Sequence, residues 1–230
     1  MSRRLQVLAD ADAVAAAAAV VVGDCCRAAV ADHGRFTFAV SGGRTPWAVF
    51  ARLRETDLPW DRVTLYQVDE RVAPAGDADR NLAHLHAAVG GLPVRIVAMP
   101  VDLPDLDRAA DLYARELPPQ FDLVHLGLGA DGHTASLVPG DAVLDVTDRR
   151  VAVTAHRYQG RRRMTLTFPA LATARHTLWL VTGADKQTAL AGLIAGDRSF
   201  PAGRVEAADS LILADAAAAR TTGDCGEGVC

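Results

Sequence analysis

Short apolar runs alternate with longer segments rich in Ala, Leu and Arg along the chain, and this alternation constrains the fold more than any other feature. The apolar runs predict strands at residues 36–40, 64–68, 95–98, 123–127, 150–155, 177–181 and 211–213. The intervening segments predict helices at residues 11–33, 47–54, 81–89, 105–117, 169–175 and 185–195. Such alternation favours an α/β fold with a mostly parallel sheet and helices on both of its faces.

No repeat, long linker or composition break divides the chain, so we expect one domain over residues 1–222 and a Gly- and Cys-containing tail over 223–230. The four cysteines do not form a disulfide framework. Cys25 and Cys26 are adjacent on a predicted helix, and Cys225 and Cys230 lie in the tail without a CxxC pair or a neighbouring His. We therefore expect reduced thiols in a cytoplasmic protein, and no metal site.

The charge balance argues against two classes of partner. The 24 basic and 28 acidic residues give a net charge of −4, without a basic arm or stripe, which disfavours nucleic acids and anionic membranes. The longest apolar run, residues 13–22, is about half as long as a membrane span and follows two acidic residues. It predicts a helix, not a signal peptide.

In a parallel sheet the ligand site lies beyond the carboxyl ends of the strands, so we expect site residues in the loops that follow the predicted strands. After the first of these comes the sequence Ser41-Gly42-Gly43-Arg44. Two glycines there allow backbone N–H groups to face an anion at a helix N-terminus. A tight turn without a ligand is the alternative.

After the second predicted strand come Asp69, Glu70 and Arg71, and the loop continues to Asn81. A run of charges is usually a solvated surface. Here it adjoins a buried-looking strand at the expected ligand edge, which makes Arg71 a candidate partner for an anion or a carbonyl group. Asn81 is a candidate helix cap.

The strand at 123–127 leads into a glycine-rich loop, in which residues 127–132 satisfy a GxGxxG pattern. This pattern does not indicate a dinucleotide cofactor, because no acidic residue ends the following strand and Asp131 would repel a pyrophosphate. What remains is Asp131-Gly132-His133. A histidine there can take a proton from water, with the carboxylate orienting its ring, although lone histidines are more often structural.

Two further cations follow later strands. Arg163 belongs to an arginine cluster, which a solvated loop would also explain. Lys186 is the only lysine among the 24 basic residues and lies near the start of a predicted helix. Because a cation is mildly unfavourable at a helix N-terminus, its placement hints at a nearby anion.

Taken together and in order, these motifs resemble those of the 6-phosphogluconolactonases, which hydrolyse 6-phosphoglucono-1,5-lactone in the oxidative pentose phosphate pathway. The resemblance implies a Rossmann-like sheet shared with glucosamine-6-phosphate deaminases and ribose-5-phosphate isomerases. It also implies that His133 is the catalytic base, that no cofactor is needed, and that the partner is a phosphorylated sugar lactone bound to a monomer or small homo-oligomer. The implied site combines catalytic His133, Asp131 and Arg71 with substrate- or phosphate-binding Ser41, Gly42, Gly43, Arg44, Asp69, Asn81, Gly132, Arg163 and Lys186.

The chain departs from this family at Arg80, where a serine is usual, and at Val138, where a phenylalanine is common. Related deaminases usually have an acidic residue in the segment that follows the histidine, and the sequence at 134–139 lacks it, which favours the lactonase. Deaminase or isomerase activity remains the alternative. A sugar-phosphate sensor would carry a DNA-binding module ahead of the first strand. We expect the first strand near Phe36, with only one helix before it, which disfavours a sensor.

Overall fold

The computed structural model of the chain describes residues 2–220, so the tail with Cys225 and Cys230 lies outside the described residues. The strands are β1 (Ser2–Leu8), β2 (Phe36–Val40), β3 (Val63–Gln67), β4 (Asp69–Arg71), β5 (Arg95–Val97), β6 (Leu123–Gly127), β7 (Val151–Val153), β8 (Arg163–Leu166), β9 (His176–Val181) and β10 (Asp209–Asp215). The α-helices are α1 (Ala11–His33), α2 (Arg44–Leu53), α3 (Asn81–Val89), α4 (Leu106–Glu116), α5 (Phe168–Leu171), α6 (Gln187–Ala195) and α7 (Ala216–Ala219).

Seven strands form one parallel sheet in the order β1-β10-β9-β6-β2-β3-β5, and β4, β8 and β7 form a small antiparallel sheet. One apolar core, between the large sheet and α1, α2 and α3, includes Phe38, Phe50 and Leu85. The other core, beneath α4, α6 and the small sheet, includes Tyr113 and Trp179. The predicted sheet with helices on both faces is confirmed, and β2 is buried along its whole length because both of its faces are covered.

Helix α1 spans the residues predicted for it, and Asp10 caps its start by accepting a hydrogen bond from the backbone N–H of Ala13 at 2.8 Å. By length and composition α1 is apolar enough to cross a membrane. Its inner face, which includes Val14, Ala18 and Val22, is instead buried against the sheet. The stripe of apolar residues therefore contributes to the core of the fold.

The prediction that the first sheet strand starts near Phe36 is wrong, because β1 precedes α1 and pairs in parallel with β10 from Ser2 to Leu8. Strand β1 lies at the sheet edge, and its Leu5 and Val7 side chains are 42% and 50% exposed. Because part of this edge strand faces solvent, its sequence does not need the continuous apolar run of a central strand. The side chain of Arg3 anchors it with hydrogen bonds to the carbonyl oxygens of Leu193, Gly203 and Val205.

In the antiparallel sheet, β7 lies within the strand predicted at 150–155, but β4 and β8 were not predicted. Strand β4 is the charge run itself, and in its pairing with β8 Asp69 lies opposite Thr165 and Arg71 lies opposite Arg163. A three-residue strand of charged side chains has no apolar period by which to recognise it. The pairing brings two predicted cations, far apart in sequence, to neighbouring positions.

The large sheet reverses its strand order between β2 and β6, which makes this the point where a crevice forms in an open α/β sheet. The pairing between β2 and β6 covers only Phe38 with Leu123 and Ala39 with Val124. The neighbouring strands β9, β6, β2 and β3 are parallel, so their carboxyl ends lie at the same end of the sheet. Their following loops are those in which the sequence placed the candidate chemistry.

Candidate active site

A cleft of about 220 Å³ opens at the carboxyl ends of the parallel strands. The predicted site residues in its lining are Ser41, Gly42, Asp69, Arg71, Asn81, His133, Arg163 and Lys186. The lining also includes residues that were not predicted, namely Gly127, Leu128, Gly129, Ala135, Tyr158 and Gln159. The structure thus brings together residues from six separate segments of the chain.

The imidazole of His133 is paired with the carboxylate of Asp131. Nδ1 of His133 lies 2.5 Å from Oδ1 of Asp131, and the backbone N–H of His133 donates to the same oxygen at 3.1 Å. Burial alone would raise the pKa of Asp131, but the hydrogen bonds and charge of His133 outweigh it, and the pKa is lowered overall. With Nδ1 held by the carboxylate, Nε2 is the nitrogen left to exchange a proton with a ligand.

The glycine-rich loop closes on itself around this pair. Gly129 donates its backbone N–H to the carbonyl of His133 at 2.8 Å, and Gly132 donates to the carbonyl of Gly129 at 3.0 Å. A Cβ on Gly129 would lie 1.9 Å from Nδ1 of His133. Gly132 has a φ of +79°, and a Cβ there would lie 2.2 Å from the ring of Phe200. Gly132 therefore shapes the loop from outside the cleft lining, and Gly129 leaves room for the imidazole.

Asp69 lies at the floor of the cleft and is buried, with 6% of its surface exposed. Its carboxylate accepts hydrogen bonds from the hydroxyl of Ser136 at 2.6 Å and from the amide of Asn81 at 3.3 Å. A guanidinium nitrogen of Arg163 lies 3.8 Å from the same carboxylate. Asp69 thus contacts side chains from a loop, a helix start and a strand, and Ser136 is a residue of this network that sequence reasoning missed.

Arg163 and Arg71 occupy opposite positions of the β4–β8 pair and both reach the cleft. Burial lowers the pKa of the Arg163 guanidinium, the charge of Asp69 opposes this shift, and the like charge of Arg71 adds to it. In each arginine the buried Nε has no hydrogen-bond partner within the described residues. Two like charges placed side by side with unused donors form a site that an anion would stabilise.

Lys186 ends a 3-10 turn, Ala184–Lys186, that directly precedes α6, whereas the sequence predicted one helix from residue 185. Its ammonium group lies 2.9 Å from the carboxylate of Asp185, which is 63% exposed. The hydrogen bond from Lys186 lowers the pKa of Asp185. The only lysine of the chain therefore borders the cleft with an exposed carboxylate as its partner.

The Ser41-Gly42-Gly43 turn is fixed from below by His125. Ser41 donates its backbone N–H to Nδ1 of His125 at 3.3 Å and its hydroxyl to the His125 carbonyl at 3.0 Å. Burial lowers the pKa of His125 to about 3, so its imidazole is neutral and accepts the first of these bonds. Gly43 caps α2 with a φ of +133°, and the exposed Arg44 lies outside the cleft lining. The predicted participation of Arg44 gains no support from its position.

Glu70 is fully buried, and its carboxylate links β4 to the start of α3 beside the cleft. Its carboxylate accepts hydrogen bonds from the backbone N–H groups of Arg71, Asn81 and Leu82, each at 2.8 Å. The buried guanidinium of Arg80 lies 3.7 Å away. Glu70 thus caps the start of α3, and Arg80, which departs from the family pattern, neutralises this internal charge.

The GxGxxG segment lacks the strand-to-helix context of a dinucleotide site, because residues 128–141 form turns and bridges before a short 3-10 helix. Within residues 2–220, no group of three or more His, Cys, Asp and Glu side chains is arranged to hold a metal ion. The cleft instead combines a His–Asp pair with three cations.

Tyr158 and Gln159 lie in the loop after the predicted strand at 150–155, and they were missed because they belong to no recognised motif. They lie at the tip of the β7–β8 hairpin, which overhangs the cleft. The available signal was weak, because Gln is not a typical turn residue and only Gly160 indicates a turn there.

Known proteins are similar to this chain over most of its length. Residues 9–213 match the family described as glucosamine-6-phosphate isomerases/6-phosphogluconolactonase. A 6-phosphogluconolactonase from Nostoc sp. is 33% identical over 238 residues, covering 95% of this chain and 98% of the relative. One from Caulobacter vibrioides is 39% identical over 190 residues, covering 77% and 81%. The crystal structure of 6-phosphogluconolactonase from Thermotoga maritima is similar with a TM-score of 0.85 at 26% identity, covering 93% of this chain and 100% of that one.

Proposed function

The chain belongs to the family of glucosamine-6-phosphate isomerases and 6-phosphogluconolactonases, and from that premise we propose that it hydrolyses 6-phospho-D-glucono-1,5-lactone to 6-phospho-D-gluconate. The observation that carries this proposal is the contact between His133 and Asp131 in a cleft that also holds Arg71, Arg163 and Lys186. A base and a set of cations in one cleft suit an electrophilic carbonyl on a phosphorylated sugar.

In the proposed reaction, Nε2 of His133 takes a proton from water as the water oxygen attacks C1 of the lactone. The tetrahedral intermediate collapses when the bond between C1 and the ring oxygen breaks, and His133 returns the proton to that oxygen. Asp131 holds Nδ1, so it keeps the ring oriented and stabilises the transient imidazolium. Arg71 stabilises the oxyanion or binds the sugar hydroxyls, an effect that can contribute a few kcal/mol.

Arg163, Lys186 and the Ser41-Gly42-Gly43 turn bind the phosphate in this proposal. Arg163 and Arg71 keep unused N–H donors, and Gly42 brings the backbone close to Asn81, since a Cβ on Gly42 would lie 2.0 Å from the Asn81 amide oxygen. Binding the phosphate far from the reacting carbon holds C1 near the base. Phosphate contacts therefore raise the rate as well as the affinity.

The alternative activities are deamination of an amino-sugar phosphate and interconversion of an aldose and a ketose. In the segment that follows His133, Thr134 donates its hydroxyl to the carbonyl of Gly127 at 2.9 Å, and Ser136 donates to Asp69. These side chains are committed to the loop itself, and none of them is acidic. This favours the hydrolase over a deaminase that relies on an acidic group there.

The experiment generates the lactone with glucose-6-phosphate dehydrogenase and follows its loss above the spontaneous rate. The wild-type chain should accelerate the loss, and His133→Ala should lower kcat by about 10²-fold or more. His86→Ala is the matched control, because His86 is an exposed histidine on α3 outside the cleft. Release of ammonia from glucosamine 6-phosphate, or near wild-type turnover by folded His133→Ala, would contradict the proposal.

A further inference from the structure

The tip of the β7–β8 hairpin is tightly constrained. Tyr158 and Arg161 pair across a two-residue turn, with N–H···O distances of 2.9 and 3.3 Å. Gln159 and Gly160 form this turn with φ values of +51° and +81°, as a twisted hairpin turn requires. The side chain of Arg161 also contacts the carboxylates of Asp77 and Asp79 at 2.9 and 3.2 Å. The backbone of Tyr158 is thus fixed from two directions.

From this position the side chain of Tyr158 reaches the His–Asp pair. Its hydroxyl lies 3.4 Å from Oδ2 of Asp131 and 3.4 Å from Nδ1 of His133. The rings of Tyr158 and His133 meet edge to face, with centroids 5.1 Å apart. Burial raises the pKa of Tyr158 and the charge of Asp131 raises it further, so the phenol keeps its proton and acts as a donor to the carboxylate.

Arg163 connects the same tyrosine to the cationic part of the cleft. Its guanidinium carbon lies 5.4 Å from the centre of the Tyr158 ring, and Nη2 donates to the Tyr158 carbonyl at 3.4 Å and to the Gln159 amide oxygen at 3.1 Å. The quadrupole of an aromatic ring attracts a guanidinium that lies over its face. One aromatic side chain therefore touches both the His–Asp pair and an arginine of the anion site.

We propose that Tyr158 is a positioning residue, which holds the carboxylate of Asp131 and the imidazole of His133 in their mutual orientation while Arg163 braces its ring. The inference rests on the proposed function for its kinetic consequences. Asp131 Oδ1 serves His133, and the tyrosine hydroxyl occupies the second oxygen, so the carboxylate cannot rotate freely away from the ring. The 3.4 Å contacts are long, and such bonds commonly shorten when a catalytic site binds its substrate.

The central variant is Tyr158→Phe, which removes the hydroxyl and keeps the ring contacts with His133 and Arg163. It should lower kcat about 3–10-fold with an unchanged KM, because one neutral donor is lost while the phosphate contacts stay. Tyr158→Leu also removes the ring. It should lower kcat about 10–100-fold and raise KM, because Arg163 loses its support. Tyr66→Phe is the matched control, since Tyr66 lies in the core on β3 outside the cleft.

A proton NMR measurement tests the placement without turnover. The Nδ1 proton in the short contact between His133 and Asp131 should give a downfield resonance, which His133→Asn removes and thereby assigns. Tyr158→Phe should broaden or shift this resonance, and Tyr66→Phe should not. If Tyr158→Phe leaves both kcat and the resonance as in the wild type, or if Tyr158→Leu changes KM alone, the positioning role is wrong. If the wild type hydrolyses no lactone but the resonance responds to Tyr158→Phe, the proposed function fails and the positioning role stands.

Discussion

At the scale of single residues, the cleft holds several positive side chains close together, although like charges repel one another. Arg71 and Arg163 lie opposite each other on paired strands, and Lys186 borders the same cleft. Asp69 offsets part of this charge, but its carboxylate also accepts hydrogen bonds from Ser136 and Asn81. A bound anion would balance this positive charge, which is why we propose that the phosphate binds here.

Lys186 provides the residue-scale test. Lys186→Met should weaken binding of 6-phosphogluconate about 10–100-fold and leave the weak binding of gluconate nearly unchanged, because both ligands carry a carboxylate but only 6-phosphogluconate carries the phosphate that Lys186 is proposed to bind. Calorimetric titration of both ligands measures this difference. Arg44→Met is the matched variant, since Arg44 is exposed and lies outside the cleft lining. Equal losses for both ligands in Lys186→Met, or a selective loss in Arg44→Met, would move the phosphate away from Lys186.

At the scale of elements, the small antiparallel sheet and α3 are joined by one buried charge. Glu70 lies on β4 and accepts hydrogen bonds from the first backbone N–H groups of α3, at Asn81 and Leu82. Arg80 balances the charge from the residue before the helix. This unit also fixes Asn81, which lines the cleft, so the stability of the helix start and the shape of the site depend on the same carboxylate.

Glu70→Ala should therefore lower the free energy of unfolding by about 3–5 kcal/mol, because it leaves Arg80 buried without its partner and uncaps α3. Urea denaturation followed by circular dichroism measures the change. Glu70→Gln keeps an acceptor oxygen and should cost less than Glu70→Ala. Glu116→Ala removes a carboxylate from an exposed pair with Arg95 and should change stability by no more than about 1 kcal/mol. Similar losses for Glu70→Ala and Glu116→Ala would contradict the role assigned to Glu70.

At the scale of the whole molecule, hydrogen-bonded carboxylates tie distant loops to the sheets. Asp141 accepts hydrogen bonds from the backbone N–H groups of Val143, Ala155 and His156 at 2.9, 3.1 and 2.9 Å. Burial tends to raise the pKa of Asp141, but these bonds outweigh it and lower the pKa overall. Asp141 thereby joins the segment after the glycine-rich loop to the end of β7.

The lowered pKa of Asp141 sets the direction of its pH dependence. The unfolded chain binds protons more readily at this carboxyl than the folded chain does, so the stabilisation by Asp141 is fully present above its unfolded pKa of about 4. It is lost as pH falls through the lower folded value. Asp141→Asn should therefore flatten the fall in Tm below about pH 4. Asp57→Asn, at an exposed position, should leave the slope as in the wild type, and identical slopes for all three proteins would contradict the prediction.

Prediction from the sequence succeeded where the signal was local. Helices α1 and α3 begin and end at the predicted residues, and β2 and β6 match their apolar runs. It failed for β1 and β4, because an exposed edge strand and a charged three-residue strand are stabilised by their partners and not by their own pattern. Tyr158 was missed for the same reason, since only the pairing of β7 with β8 brings its loop over the cleft.

The sequence by itself determined the alternation of strands and helices and the loops in which His133, Arg71, Arg163 and Lys186 occur, because periodicity and turn residues act over short distances along the chain. Only the tertiary structure decided which of these side chains meet. The pairing of β4 with β8 places Arg71 beside Arg163, and the fixed hairpin turn places Tyr158 against His133 and Asp131. Such contacts depend on strand register and loop closure, which join residues far apart in sequence and leave no local pattern to read.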